Sequence, residues 1–202
     1  MDAIAQSPVG TNGIGVVLAS VEDPIDDLFL AVSNLLQKEG YRVRGFIQSQ
    51  RQLNPGTEPA TFMQTVSGSR TRQVSQDLGA GSHACKVDAG VIAELAGQLV
   101  NELEQETDLL VINRFGRCES LGGGLRPVIE TAFVQDIPVL TAVRPRYRFQ
   151  WEEFSCGMAN TLNPDADEIL DWCLSLIDPQ RASFHAGVAL HVQTGTGRVA
   201  YD

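Results

Sequence analysis

Lysine is almost absent from this chain. Of fifteen basic residues only Lys38 and Lys86 are lysines, and thirteen are arginines. Set against twenty-five acidic residues, they leave a net charge of −10. The chain therefore lacks the basic field that a phosphodiester backbone requires, which argues against nucleic acid as a general partner. Long apolar runs are missing too. No stretch approaches the ~20 apolar residues of a membrane span, and the N-terminus has no basic region followed by an apolar core. The expectation is a cytoplasmic protein without a membrane partner. Paired cysteines are also lacking: Cys85, Cys118, Cys156 and Cys173 form no CxxC and lie far apart, unlike a zinc ribbon or a small disulfide framework. His83-Ala84-Cys85 offers two metal ligands without a third, so no metal site is expected. What is present is arginine, which suits bidentate recognition of phosphate or carboxylate, although genomic base composition produces the same bias equally well.

A length of 202 residues accommodates one α/β domain with a real core, and two would be cramped. Residues 1–13 are small and polar and read as a flexible N-terminus. Ile14 to Ala19 is a short apolar run suited to a buried strand. Asp23, as N-cap, and Pro24 open an amphipathic helix with Ile25, Leu28, Phe29, Val32, Leu35 and Leu36 on one face, closed by Gly40. Tyr41 to Gln48 resumes as a strand, so strand–helix–strand implies a parallel, right-handed unit. Residues 49–59 read as loop. Thr61–Val66 and Thr71–Gln76 flank Ser67-Gly68-Ser69-Arg70 like a β-hairpin, and Leu78–Ser82 reads as a flexible loop. Helical periodicity covers Ala89–Leu103, about Arg126–Gln135 and about Asp165–Ile177, with strands at 108–113 and Val139–Val143 between them. The pattern predicts a three-layer α/β domain over 14–177 with a mostly parallel sheet and a β-hairpin insertion. The tail 178–202 has no strong pattern and is a candidate for ordering by a protein partner.

The segment Asp108 to Glu119 carries the most functional information. Its apolar run ends in a charged, glycine-bearing turn, and open α/β sheets bind ligands beyond the carboxyl ends of their strands. Asn113, Arg114, Arg117 and Glu119 are expected to face that crevice. Arg144, Arg146 and Arg148, at alternate positions after the 139–143 strand, converge with them if the two strands are neighbours. With amides from Gly122, Gly123 and Gly124 at a helix N-terminus, the set suits an anion: phosphate, a nucleotide or an oxyanion such as molybdate. The competing reading pairs Arg144, Arg146 and Arg148 with Glu152, Glu153 and the acids of 22–27. Cys85, beside His83 and Lys86, is a candidate reactive thiol, since a nearby cation lowers a thiol's pKa; a buried structural cysteine is the commoner case. Glu22, Asp23, Asp26 and Asp27 suit a divalent cation less well than they suit the positive end of a helix. Trp151 and Phe154 read as one helix face against the core.

The phrase Leu35 to Gln48 resembles the matching part of two groups of small nucleotide-binding proteins, the THEP1-like nucleoside-triphosphatases and the molybdopterin-guanine-dinucleotide adaptor proteins. Several phrases bring the chain closer to the bacterial family DUF2478. They are Ser75-Gln76-Asp77-Leu78-Gly79, Ala84-Cys85-Lys86-Val87-Asp88, Asn113-Arg114-Phe115-Gly116 with Glu119, Pro138 to Val143, and Trp151-x-x-Phe154. This resemblance implies a P-loop-NTPase-like fold and, through that family's connection with molybdate transport, a molybdenum link without an assigned activity.

The chain departs from the nucleoside-triphosphatase pattern at its chemical centre. A P-loop reads G-x-x-x-x-G-K-[ST], whereas here Ala19-Ser20-Val21-Glu22-Asp23-Pro24-Ile25-Asp26-Asp27 follows the first strand. Its four acids repel a triphosphate. The later strand ends in Asn113-Arg114 where an acid supporting Mg²⁺ belongs. The sequence therefore points to a non-hydrolysing anion- or nucleotide-binding protein on a degenerate scaffold. The rivals are an atypical nucleoside triphosphatase or nucleotide-cofactor transferase, and a protein-interaction module or homo-oligomer.

Overall fold

Apolar runs too short for helices become the strands of a seven-stranded sheet in the computed structural model, which describes residues 13–20, 22–56, 58–76 and 87–179. The strands are β1 (Ile14–Leu18), β2 (Val43–Arg51), β3 (Ala60–Thr65), β4 (Thr71–Gln73), β5 (Leu109–Phe115), β6 (Val139–Val143) and β7 (Asn160–Leu162). Their spatial order is β4-β3-β2-β5-β6-β1-β7. β2, β5, β6, β1 and β7 run parallel, while β3 and β4 join antiparallel. The helices are α1 (Ile25–Lys38), α2 (Ala89–Leu103), α3 (Arg117–Ser120), α4 (Arg126–Val134), α5 (Arg148–Ser155) and α6 (Ala166–Ile177).

Each face of the sheet has its own core. Phe29, Val32 and Leu36 of α1 and Ile169 and Cys173 of α6 pack on one side. Leu95 and Leu99 of α2, Val128 and Ile129 of α4 and Trp151 of α5 pack on the other. The connection after β1 thus goes to one face and that after the adjacent β6 to the opposite face, so the chain has its topological switch point there.

Several expectations shift. β2 continues to Arg51, through polar residues expected to be loop, because Phe46–Arg51 pair antiparallel with β3. The expected hairpin is β3–β4, inserted between β2 and α2, and it joins β2 as the outer part of a three-stranded meander. Asp23 does not cap α1: its carboxylate accepts from the Ser20 amide at 2.6 Å, and Pro24 takes the capping position. Asp165 does cap α6, accepting from Glu168 N. The short edge strand β7 gives no apolar signal and was not expected. The loop 78–82 and the tail beyond 179 lie outside the described residues. One glycine is required for closure of the sheet: Gly45 has φ +137°, and a Cβ there would lie 1.9 Å from the Val111 carbonyl oxygen.

Candidate functional site

β5 carries one residue more than its partner near its carboxyl end. Ile112 faces Thr141, but Phe115 faces Val143, so the extra residue lies at Asn113–Arg114. Such a bulge reverses the in–out alternation that follows it. Leu110 and Ile112 point to the core under α2 and α4, and simple alternation would send Phe115 to the other side. Instead Phe115 joins the same core, with Trp151 at 5.1 Å and Phe154 at 5.4 Å between ring centroids. The expected pairing of Trp151 and Phe154 as a core face is thereby accounted for. Thr141 Oγ1 donates to the Ile112 carbonyl at 2.6 Å beside the bulge.

The bulge brings Asn113 and Arg114 to one acceptor. Asn113 Nδ2 and Arg114 Nη2 both donate to Asp26 Oδ1, each at 2.6 Å, while Asn113 Oδ1 accepts from the Gln48 amide at 2.6 Å. Asn113 is 1% exposed and cross-links β2, β5 and the first turn of α1. The Asp26 carboxylate therefore sits at the amino end of α1, where a P-loop would hold phosphate. Acids there complement the helix dipole, as expected for this cluster, and the ion pair to Arg114 agrees with the plainer reading in which the arginines of this loop pair with nearby acids.

Beside this cross-link opens a cavity of about 250 Å³ at the carboxyl ends of β2, β5 and β6. Arg114, Arg117, Arg144 and Arg146 line one part of it, with Cys118 and Tyr147. Met63, Val74, Ile92, Phe115 and Leu125 form an apolar floor, and Gln48 and Gln50 stand on the β2 wall. Arg144 leaves β6 in extended conformation and has no ion-pair partner among the described residues. Its Nε is buried without a hydrogen bond, as is that of Arg114. Burial, followed by the charges of Arg114 and Arg146, holds the Arg144 guanidinium below its ordinary pKa, with Asp26 pulling the other way. Four guanidinium groups thus meet two carboxylates, Asp26 and Glu119, an excess of two positive charges.

Glu119 lines the cavity but spends its oxygens on the chain. Oε2 accepts from Gly116 N and Oε1 from Leu125 N, both at 2.9 Å, which ties α3 to the start of α4. Gly122, Gly123 and Gly124 lie outside the cavity lining. The Gly122 and Gly123 amides donate to the carbonyls of Glu119 and Cys118. Gly124 has φ +65° and would place a Cβ 2.1 Å from Glu119 Oε1, so its need for glycine is steric. Arg148 turns away and donates to Glu152 at 2.7 Å. The alternate spacing of 144, 146 and 148 does not place them on one face because Pro145–Tyr147 forms a 3-10 turn before α5. Arg146 stacks on Tyr147 at 4.8 Å. Cys85 and His83 lie outside the described residues, among which no group of three or more metal-ligating side chains occurs.

Residues 14–172 match the family described as "Protein of unknown function (DUF2478)". The chain belongs to the DUF2478 family. This DUF2478 protein is also 32% identical over 166 residues to the molybdenum import ATP-binding protein ModC 2 of Bradyrhizobium diazoefficiens. That alignment covers 81% of this chain and 18% of the relative, so the chain spans under a fifth of that protein's length. The solution structure of a human cancer-related nucleoside triphosphatase superposes with a TM-score of 0.56 at 15% identity, covering 91% of this chain and 99% of that one. This DUF2478 chain therefore shares the fold of that structure. Its sequence carries no G-x-x-x-x-G-K-[ST], and no described helix is long and apolar enough to cross a membrane.

Gln48, Gln50 and Tyr147 were not singled out by sequence reasoning. Gln48 and Gln50 alternate with Ile47 and Ser49, so period two in β2 places them on the Phe46 face; the loop reading of 49–59 conceals Gln50.

Proposed function

We propose that this protein binds an anionic small molecule in the cavity at the ends of β2, β5 and β6, and does so without P-loop hydrolysis. The observation that carries the reading is Arg144: a partly buried guanidinium, unpaired among the described residues, repelled by two neighbouring arginines and holding an orphaned Nε. Buried polar groups left without partners cost stability, and an anion relieves both the repulsion and the missing bond. Arg114, Arg117 and Arg146 complete the set, with phosphate, a nucleotide phosphate or an oxyanion as the ligand class. The absence of a P-loop lysine, the Asp26 carboxylate at the α1 terminus, and Asn113-Arg114 in place of an Mg²⁺-supporting acid all disfavour hydrolysis. The molybdenum-import role carried by the name of the ModC 2 relative supports molybdenum metabolism as the setting.

A thermal-shift series with phosphate, sulfate, molybdate, tungstate and nucleotides, each with and without Mg²⁺, tests the reading. A ligand at ~100 times its dissociation constant adds ~2.7 kcal/mol, and Arg144→Ala shrinks that gain. Mg²⁺-dependent phosphate release would replace the reading with the enzyme. Absence of any shift would replace it with a protein-interaction module.

A further inference from the structure

The cavity is divided in its chemistry. Its arginines stand at the exits of β5 and β6, while Met63, Val74 and Ile92, no more than 6% exposed, form a floor that belongs to the hydrophobic core. Gln48 and Gln50 add side-chain amides that make no hydrogen bond to any described residue. We infer that the ligand is an organic phosphate monoester whose body carries a compact, hydrogen-bonding ring, and not a bare tetrahedral oxyanion. This inference rests on the anion-binding reading above and narrows it.

Three physical arguments converge. A volume of about 250 Å³ holds roughly eight waters at ~30 Å³ each, whereas a tetrahedral oxyanion has five heavy atoms and fills only the arginine end. A ring lying on that floor leaves water itself, which contributes roughly 25 cal/mol for every Å² of its own apolar surface that is covered. The local excess of two positive charges matches a phosphomonoester, which carries about −1.5 to −2 at neutral pH. Ligand sites of this kind combine a preformed apolar wall with a few convergent polar groups. Here the floor is core packing, so it exists before the ligand arrives. The phosphoryl group binds Arg144, Arg114 and Arg146, the ring lies over Met63 and Ile92, and Gln48 and Gln50 read its polar edge.

Calorimetric titration of the full chain with inorganic phosphate, molybdate, phenyl phosphate and adenosine 5′-monophosphate at two temperatures decides the matter. At least one ring ester is expected to bind tenfold or more tightly than inorganic phosphate, with a negative heat-capacity change as the ring leaves water. Met63→Ser is expected to weaken the ester and spare inorganic phosphate; Gln50→Ala, at an exposed position, gives the same selective loss for adenosine monophosphate should the first variant not fold. If inorganic phosphate or molybdate binds as tightly as both esters, the ligand class is wrong and the anion site stands. If no anion binds, both readings fall. Ester binding unchanged in both variants would place the ring elsewhere and overturn the inference.

Discussion

At the end of β1 the chain turns into α1 through Glu22, Asp23, Asp26 and Asp27; at the ends of β5 and β6, along the same edge of the sheet, it presents Arg114, Arg117, Arg144 and Arg146. A phosphate-binding site on this type of scaffold would use the first region, with backbone amides and a lysine. Here that region is filled by its own carboxylate, Asp26, and the positive charge has accumulated beside it. The two regions are joined at one oxygen, Asp26 Oδ1, which receives both Asn113 and Arg114. The lesson is that acidic and basic strand ends can lie side by side on one edge of a sheet, because strand order depends on buried apolar residues and the strand ends do not.

The strongest way to break this comparison is Glu119→Ala. It removes the acceptor of the buried Leu125 amide and of the half-buried Gly116 amide, and at ~1–3 kcal/mol per orphaned group roughly 2–6 kcal/mol of stability should be lost in urea denaturation. A loss within the scatter of the wild type would mean that water replaces the carboxylate. Arg144→Ala comes next. A charge-assisted hydrogen bond contributes about 1.5–3 kcal/mol, so anion affinity should fall roughly ten- to a hundredfold, while thermal stability holds or rises because the repulsion with Arg114 and Arg146 is gone. The control Arg148→Ala, whose partner is Glu152 on its own helix, should leave affinity unchanged; an equal loss in both variants would show that only net charge matters.

Asp26→Asn sharpens the comparison further. Removing the built-in anion should tighten binding several-fold at low salt and less at high salt. Weaker binding would instead assign Asp26 to holding Arg114 in place. The smallest effect lies at the opposite end of β5. Arg42, hydrogen-bonded to Asp108, holds that carboxyl below its ordinary value of 3.8. The folded-state pKa is depressed, so the pair's contribution is complete above the unfolded value and fades as pH falls below it. Asp108→Asn should lower stability slightly at neutral pH, where the pair's contribution is complete, and the difference from the wild type should shrink as pH falls below 3.8.

Much of the architecture was legible from pattern. Helix α2 falls on Ala89–Leu103, and β6 on Val139–Val143, because both carry clear apolar periods. Strand β7 was not, since Asn160-Thr161-Leu162 has one buried residue and is held by pairing with β1. In the site, residue type pointed to Arg114, Arg117, Arg144 and Arg146. Nothing local distinguished Arg144 from Arg148, because a helical turn after Pro145 and not the spacing sets their directions.

By itself the sequence determined which segments bury apolar surface, the absence of a P-loop and the concentration of arginine after two strands, since these depend on residues close together in the chain. Only the tertiary structure decided which arginine is paired and which has no ion-pair partner among the described residues. That outcome depends on an extra residue in β5, on β5 and β6 lying side by side, and on Asp26 reaching Arg114 across 88 residues of sequence. Charges separated by such distances along the chain interact only after packing has brought them together and removed the water between them.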